Sequence, residues 1–255
     1  MAFQTIIQDR QGGVGIIILN RPEKLNALTA GLTLELDQCI TQFEADDSVK
    51  AIVITAAGDR AFSSGFDIHE MSHESDADFN ERFALNVEQY WHLAVCHKPT
   101  IGAVNGLAYG AGALLSSILD IRIGCERTSF RFLGAAYGRI NSTWTLPLIV
   151  GLPIAKELLF TGRTVDAEEA LRVGLLNKLV PSAELLKTAI DMGQSIAANN
   201  AKAVQEIKGI LSRDVGMSLR EMLLNEAQTI TQNMPVLPPT ERFKGFLDRK
   251  PNAPQ

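Results

Sequence analysis

The sequence predicts an α/β fold, and three patterns carry that expectation. Short β-branched runs stand between glycine, proline or charged residues, apolar residues at helical spacing alternate with them, and glycine-rich turns join the two. Val14-Gly-Ile-Ile-Ile-Leu19 and Ala51-Ile-Val-Ile-Thr55 read as strands buried on both faces. Between them Thr29 is placed to cap a helix whose apolar positions are Leu32, Leu36, Cys39, Ile40 and Phe43. A second amphipathic helix is predicted over 78–95, ending before His97-Lys98-Pro99. Then come a strand at Thr100-Ile-Gly-Ala-Val104, a buried helix from Gly110 onward and a strand at Asp120-Ile-Arg-Ile-Gly124. Strands that alternate with helices pair in parallel, which is the α/β class.

The character changes after Leu146. Asp166-Ala-Glu-Glu169 has the spacing of a reciprocal helix cap, with Gly174 as the stop. Ser218-Leu-Arg-Glu221 repeats that logic ahead of Met222, Leu223, Ala227 and Ile230. From Ser182 on, nearly everything reads as helix, broken at Met234-Pro235 and Leu237-Pro-Pro239. The expected organisation is an α/β core over 1–199 and a helical C-terminal piece over 200–255.

Composition narrows the function classes. With 255 residues the chain is long enough for one large domain or a domain with an appendage. Lys and Arg number 24 against 29 Asp and Glu, a formal charge of −5, and no basic stripe suggests nucleic acid. Cys39, Cys96 and Cys125 are an odd set without CxxC spacing, so reduced thiols in a cytoplasmic protein are expected. The first residues lack the basic and apolar regions of a signal peptide. Residues 101–119 carry no charge and are nearly long enough to cross a bilayer. Asn105, Ser116, Ser117 and four glycines there favour a buried strand, a turn and a buried helix instead, so no membrane partner is expected.

Two turns carry the chemical interest. The first is Ala61-Phe-Ser-Ser-Gly65-Phe66-Asp67-Ile68-His69-Glu-Met71; the second is Asn105-Gly106-Leu-Ala-Tyr109-Gly110-Ala111-Gly112. Small residues there let backbone N–H groups face outward, and the second turn opens a helix whose N-terminus favours negative charge. Two amides from different turns are a way to hold a developing oxyanion. The dinucleotide pattern GxGxxG is absent.

Along its whole length the chain resembles the crotonase (enoyl-CoA hydratase/isomerase) superfamily. The resemblance rests on Asn20-Arg-Pro-Glu-Lys-Leu-Asn-Ala-Leu28, the first turn through Met71, Lys98-Pro-Thr-Ile-Gly-Ala-Val-Asn-Gly106, Gly110-Ala-Gly112 and Asp120-Ile-Arg. It continues through Glu157-Leu-Leu-Phe-Thr-Gly162, Ala167-Glu-Glu-Ala170, Gly174-Leu-Leu-Asn-Lys-Leu-Val180 and Phe246-Leu-Asp-Arg-Lys-Pro251. It implies a crotonase-like spiral of stacked ββα units with a helical C-terminal region, homotrimers or dimers of trimers, and binding of acyl-CoA thioesters. It implies no cofactor beyond the coenzyme A carried by the substrate. It places the oxyanion-hole N–H groups on Phe66 and Ala111. It places CoA contacts at Lys24, Leu25 and Ala27, along Asp67, Ile68 and His69, near Gly110, and at Phe246 with Lys250 or Arg249.

The resemblance also marks a departure. A hydratase of this kind has two glutamates, at positions that fall here on Leu114 and Gly134. An apolar side chain cannot move a proton, so two-glutamate hydration is not expected. The glycine-rich segment that follows, Gly138-Arg-Ile-Asn-Ser-Thr143, is about three residues shorter than the family pattern implies. Tyr137 and Arg139 are the candidates for replacement chemistry. The tyrosines Tyr109 and Tyr137 more often pack with a bonded hydroxyl, and Asn141 or Ser142 suits a helix cap. Asp67 reads as a turn residue and His69 as a neighbour of CoA or solvent. Arg139, alone in a small and apolar stretch, wants an anionic partner. A protein acid such as Asp120 or Glu126 is favoured over a substrate carboxylate. The expected function is an acyl-CoA enzyme of the hydratase/isomerase type that stabilises a thioester enolate. The alternatives are a CoA-thioester decarboxylase or hydrolase, and an acyl-CoA-binding protein without catalysis.

Overall fold

A computed structural model describes residues 3–234, 238–242 and 247–248. The chain opens with β1 (Ile6–Gln11), β2 (Val14–Leu19), α1 (Ala30–Ala45) and β3 (Ala51–Ala56). Next come β4 (Ala61–Ser63), α2 (Ile68–Met71), α3 (Asp76–Val95), β5 (Thr100–Val104), β6 (Leu107–Tyr109) and α4 (Ala111–Ile118). Then follow β7 (Ile121–Gly124), β8 (Ser129–Arg131), α5 (Leu146–Val150), α6 (Leu152–Thr161), β9 (Val165–Asp166), α7 (Ala167–Arg172) and β10 (Lys178–Leu179). The remaining elements are α8 (Leu185–Ala197), α9 (Ala201–Arg213), α10 (Leu219–Asn233) and α11 (Pro239–Arg242).

The strands form a six-stranded sheet in the order β1-β2-β3-β5-β7-β10 and a four-stranded sheet in the order β4-β6-β8-β9. Only β1 in the large sheet and β9 in the small one run antiparallel to a neighbour. Three successive units send one strand to the large sheet and the next to the small sheet before a helix: β3-β4, β5-β6 and β7-β8. The repetition winds the chain into a spiral of ββα units.

Both faces of the central strands β2, β3 and β5 are covered, which is why their sequences are nearly all apolar. Ile17, Leu19, Ile52 and Ile54 join the main core, which includes α1, α4 and the small sheet. Val14, Ile16, Val53, Ile101 and Ile123 face the other way, onto Leu185, Ala189 and Ile190 of α8. The uncharged stretch 101–119 folds as β5, β6 and α4, and no helix among the described residues is long and apolar enough to cross a membrane.

Two buried cations end helices. Lys98 donates its ammonium to the carbonyls of Phe43 and Asp46 at the C-terminus of α1. Arg122 donates to Leu119 O (2.5 Å), Ser116 O (3.3 Å) and Leu175 O (2.7 Å), so a guanidinium lies on the negative end of α4.

Several sequence expectations are refined. Helix α3 starts at Asp76 rather than 78, because Ser75 and Asp78 form the capping box. Asp166 caps α7, but Glu169 pairs with Arg163 instead of completing the reciprocal cap. Neither Asn141 nor Ser142 caps α5 with its side chain; Ser142 Oγ is buried without a partner. Contacts divide the chain into two compact units, 1–205 and 206–255. In the second, α10 carries the full Ser218–Glu221 capping box, and Asn225 donates to the buried Asp214 (3.2 Å).

Helix α3 is tied to α1 by titratable groups. His92 sits between Asp37 (2.6 Å) and Glu44 (2.7 Å), and His97 bonds Glu44 through its ring (2.7 Å) and its N–H (2.9 Å). Burial disfavours the imidazolium of His92, but its two carboxylate partners outweigh that and raise its pKa. Burial likewise disfavours the Glu44 carboxylate, and the bonds from His92 and His97 outweigh it and lower its pKa. The His92 contribution is therefore complete below about pH 6.5 and lost as pH rises through its raised folded value. The Glu44 contribution is present above about pH 4.3 and lost as pH falls through its depressed value. Replacing His92→Gln should destabilise the protein by about 1 kcal/mol near pH 5.5 and progressively less at alkaline pH. Thermal melts of both proteins across that range measure the difference; a constant gap would exclude the charged pairing.

Candidate active site

The first turn is locked by the segment before α1. Leu28 N–H donates to Gly65 O (2.8 Å), and Leu28 O accepts from Asp67 N–H (3.0 Å). That parallel bridge uses the groups on either side of Phe66, so the Phe66 N–H points away from Leu28. Ser64 N–H donates to Leu25 O (3.0 Å). Leu25 and Asn26 both have φ of 51°, a left-handed geometry held by Asn26. Its Oδ1 accepts from Arg21 N–H (2.9 Å) and its Nδ2 donates to Ala57 O and Ala61 O. Arg21 also reaches Asp67 (3.1 Å), whose carboxylate caps α2 through His69 and Glu70. Burial would raise the Asp67 pKa, but Arg21 and these N–H groups hold it below the usual range.

The second turn arrives beside the first because β4 and β6 pair in parallel. Gly110 N–H donates to Arg131 O (2.9 Å), and Gly110 has φ of 53° before α4 begins at Ala111. Gly65, with φ of 100°, is where the turns meet: a Cβ there would stand 2.9 Å from Tyr109 O and 3.2 Å from Ala111 N. Gly112 lets α4 settle on β4, since its Cβ would lie 2.3 Å from Ser63 O. Among the described residues, neither the Phe66 N–H nor the Ala111 N–H meets a protein acceptor. Two backbone donors, one on each turn, are thus left without an acceptor where the turns meet at Gly65. Such a pair suits an oxygen on which negative charge develops.

The residues around this pair fall into groups. Lys24 is exposed, Leu25 half-buried and Ala27 buried on the segment that holds the first turn. Ile68 and His69 are exposed just beyond it. A cleft of about 220 Å³ opens next to Lys24, lined by Pro22, Glu23, Asn26, Gly58, Asp59 and Arg60. Leu114 is buried one turn into α4, with its N–H on Gly110 O (3.1 Å). Gly134 begins the turn after β8, and Gly134 O accepts from Tyr137 and Arg139 N–H. Tyr137 is 69% exposed. Phe246, Arg249 and Lys250 lie outside the described residues.

Carboxylates near the turns are committed elsewhere. Asp67 holds Arg21, Glu70 accepts from Ala30 N–H (3.0 Å), and Glu74 takes Arg82 through both oxygens (2.5 and 2.9 Å). The expected protein acids for Arg139 are engaged too. Asp120 bonds the N–H and hydroxyl of Thr100, and Glu126 bonds Ser182 N–H and Arg127. Arg139 instead lies over the Phe79 ring, 4.6 Å from its centroid.

Sequence reasoning missed the contribution of α3. Buried Arg82 lies 5.2 Å from the ring of Phe66 and 5.4 Å from that of Phe79. The available signal was its spacing: Arg82, Asn86 and Leu93 share the buried face of the helix. Farther along, Gln89 Oε1 and Tyr90 OH are buried without partners beside Leu28 and Leu115, and burial raises the Tyr90 pKa.

Because Gly65 has both a left-handed φ and no room for a Cβ, Gly65→Ala should destabilise the fold by about 1–3 kcal/mol. It should also widen the spacing of the N–H pair. Denaturation and a crystal structure of the variant would check both; unchanged stability would remove the constraint.

A family model described as enoyl-CoA hydratase/isomerase matches residues 9–252. The chain is 31% identical over 254 residues to a short-chain-enoyl-CoA hydratase of Clostridium acetobutylicum, covering 98% of this chain and 97% of that one. It is 37% identical over 228 residues to a probable enoyl-CoA hydratase of Rhizobium meliloti, covering 88% and 87%. The crystal structure of enoyl-CoA hydratase from Bacillus anthracis superposes with a TM-score of 0.91 over 96% of both chains, at 29% identity. The spiral of ββα units is therefore the crotonase fold, and the chain belongs to the enoyl-CoA hydratase/isomerase family.

Proposed function

We propose that this protein is an acyl-CoA enzyme that stabilises a thioester enolate between the Phe66 and Ala111 N–H groups. The observation that carries the reading is the adjacency of these two donors, with no protein acceptor for either among the described residues. A thioester carbonyl placed there gains negative charge as the enolate forms, and donors already in position need no reorganisation. Lys24, Leu25, Ala27, Ile68 and His69, the residues to which the family resemblance assigns the CoA portion, flank the first turn.

Proton transfer is the part this chain lacks in the usual form. Position 114 is leucine, position 134 has no side chain, and Asp67, Glu70 and Glu74 are bound to structural partners. That pattern supports a second reading, in which the enolate forms without a protein base. In decarboxylation, departing carbon dioxide leaves its electron pair on the α-carbon, and a proton from water completes the product. Thioester hydrolysis would need the same pair of amides. Either reading makes crotonyl-CoA hydration a minor activity.

Proline is tolerated at the first position of a helix, so Ala111→Pro deletes one donor with little cost to α4. Turnover of the true substrate should fall about 10²- to 10³-fold, measured beside crotonyl-CoA hydration and malonyl-type CoA turnover. Full activity in a folded variant would exclude this turn from the chemistry. Leu114→Glu should raise hydration only slightly, because a single carboxylate lacks its partner.

The proposed assembly is a trimer or a dimer of trimers. In support, Leu219, Leu223, Leu224 and Ile230 of α10 are each at least half exposed in the single chain. Light scattering should give three or six chains per particle; a monomer would overturn the assembly.

A further inference from the structure

The loop after β8 carries a positive charge, Arg139, that no carboxylate among the described residues neutralises. From Glu126 to Glu157 the intervening residues include Arg127, Arg131, Arg139 and Lys156 but no acid. Among the described residues no carboxylate pairs with Arg139. The contrast with Arg82 is informative, because both guanidiniums lie against the Phe79 ring. Arg82 is buried and fully compensated by the two oxygens of Glu74. Arg139 is exposed, and the aromatic face fixes its plane without cancelling its charge.

Its position relative to the N–H pair follows from shared contacts. Phe66, which supplies one donor, has its ring against Arg82, and Arg82 lies against Phe79. Arg139 is the next group along that row of rings and guanidiniums. The Arg139 backbone also occupies the space beside Gly134, where a Cβ would stand 2.8 Å from Arg139 O. Where the family pattern would present a carboxylate, this chain presents the foot of an arginine.

We infer that Arg139 recognises a carboxylate on the acyl group, so that the substrate class is the CoA monothioester of a dicarboxylic acid. A planar guanidinium binds a carboxylate through two parallel hydrogen bonds, which no neutral acyl chain can use. The inference rests on the acyl-CoA reading above and adds the charge of the acyl chain.

Stable thioethers test the two readings separately. S-butyl-CoA and S-(3-carboxypropyl)-CoA differ by a methyl in place of a carboxylate, and S-(5-carboxypentyl)-CoA extends the reach. Isothermal titration of the wild-type protein should show at least one carboxylated probe binding about tenfold more tightly than a neutral probe of equal length. The preference should shrink with added salt. Arg139→Gln should bring the ratio close to one, and Arg139→Lys should restore part of it. Equal affinities for charged and neutral probes in the wild type, with clear binding of both, would overturn the carboxylate inference and leave the acyl-CoA reading intact. A preference that survives Arg139→Gln would also overturn it. Failure of every CoA probe to bind would overturn both.

Discussion

The contact on which the rest of the site depends is between two pieces of backbone, Gly65 against the Tyr109–Ala111 turn. The Cβ that any other residue would carry at 65 would stand 3.2 Å from Ala111 N, within a space closed by Tyr109 O. The neighbouring elements serve that approach. Parallel pairing of β4 with β6 brings both strand ends to one level, and Gly112 lets α4 lie against Ser63. The first turn is held by Leu28 and by Arg21 on Asp67. Helix α4 is fixed at its far end by the buried guanidinium of Arg122. Oxyanion stabilisation is sensitive to donor placement on the scale of a few tenths of an ångström. A site built only from main chain therefore needs this much scaffolding.

The strands with long β-branched runs were legible because burial on both faces leaves an uninterrupted apolar signal. β2, β3 and β5 fall where the sequence puts them. The small sheet was not legible. β4, β6 and β8 have three residues each, too few for any period to register, and two of them sit inside segments dominated by glycine-rich turns. β1 has only Ile6 buried, so its exposed, polar remainder reads as a loop. The turns themselves were legible, since clustered small residues at strand ends announce close backbone approach. What the sequence could not supply was which side chains converge on them. Arg82 reaches the first turn from about 16 positions along the chain, and Arg139 finds an aromatic face rather than the acid that its isolation suggested.

The chemistry of the site is one-sided. Donors for negative charge are fixed, while the acidic side chains beside the first turn are spent on structure. Asp67 illustrates the division: its depressed pKa comes from Arg21 and turn amides, which makes it a strong cap and a poor proton carrier. Under the proposed function, such a site favours reactions limited by the stability of an oxyanion over reactions limited by the supply of a base. The charge of the row formed by Arg82, Phe79 and Arg139 points in the same direction, since one of its two cations has no carboxylate partner among the described residues.

The tight packing at Gly134 has an evolutionary consequence. Arg139 O, Asn141 Oδ1 and Asn141 N would lie 2.8, 3.0 and 3.3 Å from any Cβ at this position. Even alanine would force the loop to move. A descendant of this chain could not gain a side chain at 134 by one codon change alone, because the loop through Arg139 and Asn141 would first have to swing away. Substitutions along this segment are thus order-dependent, with the loop change having to come before the side chain. The geometry acts as a ratchet: a side chain at 134 and the course of the 139–141 loop cannot change independently.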